Sequence, residues 1–400
     1  MKERIALPNF EHCTGCQACK ASCPVKAIEM IENEKGHIYP YIDEDICIKC
    51  NKCAKTCPEI TPLEPYEEQV RAYAIWVNDA KNRKYSTSGG ASYILSKKIV
   101  EKKGYFCGVI FNNNGAEHTI CNNINELHKY QGSKYAHSDV KDVYIEIEKL
   151  LKSKETVLFS GTPCQVAGLR AFLRKGYSNL YCIDLVCHGT PSRKITRDRI
   201  KYVEDRFGKK VIDLRFREKK PDQHNTCTKY TFEDSTNFTT SVYYDEMFRC
   251  FVNNYALRDN CFNCRYAGKK RVGDITIADF WGYIPKKFKH RSYLKGTSML
   301  IVNNNKGQEL LDLIKNDCTI DDSRTLSEAA ICNLNLNKPQ PRPTDFQQFW
   351  NEFLNGATIE QLAPKYYPVK VYKTTTPLKK MKLWISLILP NFILKLIKKQ

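Results

Sequence analysis

The 400 residues contain no GxGxxG run, so the fingerprint of a dinucleotide-binding Rossmann fold is missing. Zinc-finger, RRM and helix–turn–helix patterns are missing too, and the reading assigns no nucleic-acid partner. Met1 to Phe10 holds no apolar h-region of the kind a secretory signal needs. The expected compartment is therefore the reducing cytoplasm, where free thiols persist. Acidic residues stop short of the C-terminal end: Lys365 to Gln400 carries nine lysines and no Asp or Glu. Much of the formal charge of +19 is thus a property of the tail. There is also no uninterrupted apolar run long enough for a confident membrane span. Leu383 to Leu389 is broken off by Pro390, with Phe392 to Ile397 beyond it. Basic flanks and Trp384 suit a peripheral segment on an anionic inner leaflet; a helix docked on the protein or on a partner explains the same pattern.

What the chain does have is nineteen cysteines. Eight of them form two copies of Cys-x2-Cys-x2-Cys-x3-Cys-Pro: Cys13, Cys16, Cys19, Cys23 with Pro24, and Cys47, Cys50, Cys53, Cys57 with Pro58. Three cysteines at this interval wrap one loop around three irons of a cubane cluster, while the fourth reaches across to the other cluster. The spacing assigns Cys13, Cys16, Cys19 and Cys57 to one [4Fe–4S] cluster, and Cys47, Cys50, Cys53 and Cys23 to a second. Structural zinc prefers two separated knuckles, and disulfide frameworks belong to short secreted chains, so both rivals fit less well. Each oxidised cluster with its thiolates adds a charge of about −2, so three would leave the holo-protein at roughly +13.

The repeat marks residues 1–62 as a compact two-cluster ferredoxin-type module that its metal centres staple together. Pro62 and Pro65 make a stiff exit. Beyond it, Tyr105–Phe111, Thr156–Phe159, Leu180–Val186 and Asp274–Ala278 read as buried strands, and Ser92–Lys103 and Val166–Lys175 as helices with a glycine after each. The fold class is α+β: the ferredoxin-like module, then a mixed α/β domain over 66–338 with a partly parallel sheet. The Pro339–Pro343 stretch reads as a linker to a basic extension, 344–400.

A third constellation emerges from this outline. Cys164 follows one predicted strand, Cys187 ends the next, and Cys261-x2-Cys264 forms a knuckle. Ends of adjacent parallel strands share one sheet edge, where sites usually form. The four thiols then suit a third iron–sulfur cluster, a four-cysteine zinc site, or, for Cys164 and Cys187, plain burial. Cys107, Cys121, Cys182, Cys227, Cys250, Cys318 and Cys332 lack ligand-like spacing. His12 and His188 stand beside cluster cysteines, either as exposed loop residues or as hydrogen-bond partners of a cluster sulfur that shift its potential, and Asp274 and Asp279 read as structural.

Taken in order, the two ferredoxin motifs, Ser86-Thr87-Ser88-Gly89-Gly90, Gly132-Ser133-Lys134-Tyr135, Gly161-Thr162-Pro163-Cys164-Gln165, Cys187-His188-Gly189, Cys261-Phe262-Asn263-Cys264 and Gly273 to Gly282 resemble the coenzyme F-420 hydrogenase/dehydrogenase beta-subunit family, in its bacterial form with an N-terminal ferredoxin. The resemblance covers roughly residues 10–285. It implies that the large domain carries FAD and a [4Fe–4S] cluster of its own, held by Cys164, Cys187, Cys261 and Cys264. The flavin contacts it suggests are Gly89 and Gly90 against a diphosphate, Lys134 on the same phosphates and Tyr135 on a ring. The expected function is an iron–sulfur flavoprotein oxidoreductase, passing electrons between clusters and FAD to reduce or oxidise a small molecule. The alternative is a non-catalytic electron-transfer subunit. The expected partners are a ferredoxin-like redox protein or a catalytic subunit.

Overall fold

The computed structural model describes residues 5–65, 71–112, 115–219, 226–285 and 295–369. The basic apolar tail read above as a membrane-surface segment lies outside the described residues.

The N-terminal module is built on its repeat. Each cysteine loop turns through the left-handed backbone region at the same two places, Gly15 and Gln17 in the first (φ 68° and 67°), Lys49 and Asn51 in the second (φ 52° and 60°). These turns curl each loop so that its thiols converge instead of alternating outward. Short helices, Ala18–Ser22 and Lys52–Thr56, follow the loops. Between them runs an antiparallel hairpin of β1 (Ile28–Glu32) and β2 (Ile38–Ile42).

The large domain contains β3 (Arg71–Val77), β4 (Tyr105–Asn112), β5 (Gly115–Cys121), β6 (Val157–Ser160), β7 (Leu180–Leu185), β8 (Val211–Lys219), β9 (Thr226–Phe232), β10 (Asn237–Ser241), β11 (Ile275–Asp279), β12 (Ser298–Val302) and β13 (Cys318–Arg324). Its main sheet has eight strands in the order β13-β3-β12-β11-β7-β6-β4-β5. The centre, β11, β7, β6 and β4, is parallel, and the flanks are antiparallel. These central strands read as near-continuous apolar runs because both faces are covered. Along β6, Leu158 points into one core with Ile94, Leu95 and Leu310, while Val157 and Phe159 point into the opposite one with Tyr144, Ile147 and Leu169. The predicted strands and helices are present with ends shifted by a few residues.

A smaller sheet, β10-β9-β8, packs on the helices Arg193–Phe207 and Glu246–Val252. Here the reading of the C-terminal region needs correcting. Residues 344–369 are not an appendix after a linker: the helices Phe346–Leu354 and Ile359–Tyr366 lay Phe346, Phe349, Trp350 and Tyr366 into the same core. The aromatic spacing 346, 349, 350, 353 is one helical face, and the prolines before it only turn the chain.

The module is seated on the large domain. Cys16 and Ala18 belong to the core beneath the helix Pro163–Leu173. A Cβ on Gly168 of that helix would lie 3.0 Å from Cys16 Cβ and 3.1 Å from its Sγ. Glycine is therefore what lets the helix approach the cysteine loop. Gly168→Val is expected to cost about 1–3 kcal/mol as an overpacked contact. It should loosen the module, read as a lower denaturant midpoint and faster iron loss to a chelator than in Gly176→Ala, whose Cβ would meet open space.

Candidate metal centres and a cationic cleft

In each N-terminal group, three thiols come from one loop and the fourth from the other. Burial pushes the Cys16 thiol up to about 12, with Cys57 and Cys13 adding their negative fields. Cys19 is raised for the same reasons, by burial and then by Cys16, Cys13 and Cys57. The structure thus brings Cys13, Cys16, Cys19 and Cys57 together. Cys23, Cys47, Cys50 and Cys53 line one pocket, walled by Ile28 and Ile42. Cys53 is raised by burial, with Cys50 and Cys23 beside it. Cys50 alone of these eight is exposed, so this pair of loops forms the outer face of the molecule.

The third group assembles at the edge the parallel strands define. β6 and β7 pair in parallel, and their carboxyl ends run directly into Cys164 and Cys187. Thr162 caps the helix that Cys164 enters, with Gln165 Oε1 accepting from Thr162 N at 3.0 Å, and Thr162 Oγ1 lies 3.1 Å from Cys164 Sγ. The knuckle is stitched to the Cys187 loop: Arg258 N donates to Thr190 O at 3.0 Å, and Thr190 N to Cys261 Sγ at 3.2 Å. Arg271 fixes the chain beyond Cys264. Fully buried, it pairs with the buried Asp184 of β7 at 3.0 Å and donates to Tyr266 O at 2.8 Å.

Burial pushes Cys187 up to about 12 and Cys261 up to about 11, and each feels the thiols beside it: Cys261 and Cys264 for the first, Cys264 for the second. Cys164 is raised by burial and by Cys187 and Cys264, and Cys16 also acts on it. With Cys16 packed beneath the helix that carries Cys164, the first inner quartet lies next to the second. Contacts between the module and the knuckle support it, with Arg265 Nη1 donating to Pro58 O at 2.9 Å and pairing with Glu59 at 3.3 Å.

Among the described residues, no group of three or more His, Cys, Asp or Glu side chains has the arrangement that holds a single metal ion. A four-iron cube seats its thiolates on four different irons, so they stand wider than around one zinc ion with bonds of about 2.3 Å. The two inner quartets are largely buried, and their donors, once ionised, repel one another unless a positive centre sits among them. The donor sets fit iron–sulfur clusters on chemistry and on grouping.

The other thiols pack elsewhere. Cys107, Cys182, Cys227 and Cys250 are buried, Cys107 and Cys250 in apolar clusters, Cys182 beside Arg170 and Asp274, and Cys227 with its thiol donating to Glu218 O at 3.6 Å, and Cys121 and Cys318 lie in the sheet core. His12 is exposed, whereas the His188 ring is tucked against Phe251 at 4.8 Å and burial lowers its pKa. Asp274 is structural, accepting from Arg170 at 2.9 Å, Cys182 N at 2.7 Å and Asn304 at 2.8 Å.

The residues suggested for flavin have mixed surroundings. A Cβ on Gly89 would lie 2.3 Å from Ile75 O, and its N–H donates to Ser298 Oγ at 2.9 Å. Gly89 therefore packs between β3 and β12. Gly90 caps the helix Ala91–Glu101 at φ 93°. Tyr135 packs its ring against Phe251 at 4.9 Å and Phe248 at 5.4 Å, and accepts a hydrogen bond from Arg217 at 3.2 Å. Lys134 donates to Lys129 O and Gln131 O at 3.1 Å each.

Around Lys134 lies a feature that motif reading passed over. Arg215, Arg217 and Lys219 alternate along β8, while Phe216 between them is buried on the opposite face. Arg83 joins them, donating to Gly296 O at 2.7 Å; Lys219 Nζ donates to Arg83 O at 2.9 Å and to Ser88 O. Burial and the field of Arg83 push Lys219 down to about 7; burial and Arg215 push Lys134 down to about 7. Arg217 is balanced by Asp279 at 2.6 Å, at the end of β11 on the same sheet edge. Tyr85 lies 5.7 Å beneath Arg215, and Trp281, 53% exposed, 5.4 Å from Arg217. The period-two basic run at 215, 217 and 219 was the available signal.

Parts of the chain match known families. Residues 154–324 match the family model for the C terminus of the coenzyme F420 hydrogenase/dehydrogenase beta subunit. Residues 12–60 match a 4Fe-4S dicluster domain, and a second dicluster model overlaps it over 39–107. The chain is 34% identical over 71 residues to ketoisovalerate oxidoreductase subunit VorC of Methanothermobacter marburgensis, covering 17% of this chain and 90% of that protein. It is 38% identical over 69 residues to an uncharacterized polyferredoxin-like protein of Methanocaldococcus jannaschii, covering 14% of this chain and 41% of that one. A chain of the F420-reducing [NiFe] hydrogenase complex from Methanosarcina barkeri superposes at a TM-score of 0.45 and 13% identity, over 68% of this chain and 88% of that one. Residues 154–324 thus carry the C-terminal domain of the coenzyme F420 hydrogenase/dehydrogenase beta subunit, behind an N-terminal 4Fe-4S dicluster domain at residues 12–60.

Proposed function

We propose that the protein is an oxidoreductase that carries electrons from the outer face of its ferredoxin module to a flavin at the edge of the large sheet. Cys23, Cys47, Cys50 and Cys53 would hold the outer cluster, Cys13, Cys16, Cys19 and Cys57 the next, and Cys164, Cys187, Cys261 and Cys264 the third. The observation that carries this reading is the contiguity of the three quartets, with Cys16 packed against Gly168 on the helix that carries Cys164. FAD would place its diphosphate among Arg83, Lys134, Arg215, Arg217 and Lys219. Bound in these sites, clusters exchange single electrons and a flavin converts them to pairs for an organic substrate.

The protein's own contribution is placement and exclusion of water. Arg271 and Asp184 hold the Cys261–Cys264 knuckle against the Cys187 loop, and Gly168 lets the first inner quartet lie against the helix that carries Cys164. Lys134 and Lys219, crowded by other cations, would gain protons when phosphate arrives. Asp279 orients Arg217 beside Trp281. A second reading, an electron-transfer subunit for a partner enzyme, is favoured at the opposite end. Ile46 and Ile48 stand exposed beside the exposed Cys50, an apolar rim at an electron-entry point.

Reduced ferredoxin added to the isolated, flavin-replete protein separates the two. Bleaching of the flavin band supports the first reading. Reduced clusters beside a flavin that stays oxidised support the second.

A further inference from the structure

We propose that Arg258 is the counter-charge of the two inner quartets and sets the direction of electron flow along the row. Its side chain is 1% exposed. No carboxylate among the described residues pairs with it; the adjacent Asp259 pairs instead with Lys35 at 3.8 Å and Arg342 at 2.9 Å. Nε donates to Cys13 O at 2.7 Å and Nη1 to Ile38 O at 2.9 Å, while Nη2 has no hydrogen-bond partner. The guanidinium lies 3.8 Å from the centre of the Tyr39 ring. His37 and His137 supply no anion: burial, and then Arg258 itself, keeps both imidazoles neutral.

A buried cation without a counter-ion is strongly destabilising, and folded proteins pair such charges. The missing negative charge has two sources within reach. Arg258 holds the carbonyl of Cys13, a member of one inner quartet. Its own carbonyl accepts from the N–H of Cys261, a member of the other, at 2.9 Å. Thiolate-bound clusters on both sides complete the pairing. This inference rests on the cluster reading above.

The consequence is directional. An electron arriving at either inner site adds negative charge beside a fixed cation in a dry interior, where fields are strong. The outer quartet, with Cys50 exposed, sits where water screens charge. When one electron passes inward, the outer site is oxidised and the inner site reduced by one, and the cation makes that transfer more favourable.

The test is a redox titration of anaerobically purified protein followed by electron paramagnetic resonance, with the outer signal assigned by its loss in Cys50→Ser. In Arg258→Gln the midpoint potentials of both inner clusters should fall while the outer one stays put. Arg258→Lys, which keeps the charge, should recover most of the shift. Tyr39→Glu, which sets a carboxylate beside the guanidinium, should lower the inner potentials as well and serves if the Gln variant loses iron. Unchanged inner potentials in an iron-replete Gln or Glu variant would overturn the proposal, as would a fall in the Lys variant equal to that in Gln. A wild-type protein with only two cluster signals would instead remove the cluster reading beneath it.

Discussion

Cys264→Ser protein purified without oxygen is expected to hold about eight irons where the parent holds about twelve. The same loss is expected for Cys164→Ser, Cys187→Ser and Cys261→Ser. Iron in a cubane needs a soft thiolate, and a serine hydroxyl is a hard, weakly acidic donor of nearly the same shape. Because the loops are also fixed by the Arg271–Asp184 pair and by the Arg258 N to Thr190 O hydrogen bond, the serine variants should still fold. The remaining irons should show the signature of the two N-terminal clusters, since those ligands lie within residues 13–57. Cys318→Ser supplies the contrast: its thiol sits in the sheet core among Ile94, Ile314 and Leu310, and iron should stay at about twelve. Iron and acid-labile sulfide assays on the five variants read the result. Full iron in all four ligand variants would remove the third cluster from the account.

Flavin retention is the second large expected effect, and it carries a pH signature. Lys219→Met removes one charge-assisted donor from the cationic cleft, an interaction of about 1.5–3 kcal/mol, so FAD affinity should fall roughly ten- to hundredfold. Lys219 and Lys134 are held at about 7 in the free protein by burial and by the neighbouring arginines. A bound diphosphate stabilises their protonated forms and raises both pKa values. The linkage has one sign: affinity is greatest below pH 7, where both lysines are already charged, and weakens as pH rises toward the raised bound values. Each lysine contributes a loss of up to about tenfold per pH unit across that window. Equilibrium titration of the apo-flavin protein with FAD between pH 6 and pH 9 reads it, and Lys219→Met should flatten the slope. Affinity that is level across the range, or that rises with pH, would place the diphosphate elsewhere.

The two cysteine repeats were the most legible part of this protein because a dicluster domain constrains sequence spacing directly. Loops of x2 intervals must curl, and they do, through left-handed turns at Gly15, Gln17, Lys49 and Asn51. The parallel strands were legible from their apolar runs, and with them the shared edge that carries Cys164 and Cys187. What escaped was what only tertiary structure creates. The cations of the cleft come from residues 83, 134 and 215–219, brought together by β8 crossing beside the Ser86–Gly90 loop. Asp279 read as structural, with its partner Arg217 out of view 62 residues away in sequence. Gly89 looked like a phosphate-binding glycine, but the strands on either side account for it. The C-terminal helices were misjudged because a proline-rich stretch signals a turn without saying where the chain goes next. Arg258 showed no pattern at all: its meaning lies in having no carboxylate to answer it.

The proposed row of three clusters is continuous and ends at a flavin. Iron, acid-labile sulfide, zinc and released flavin measured on one anaerobic preparation test it most directly. The account predicts about twelve irons, about twelve sulfides, about one FAD per chain and no zinc. About eight irons with bound zinc, or full iron with no flavin, would contradict it.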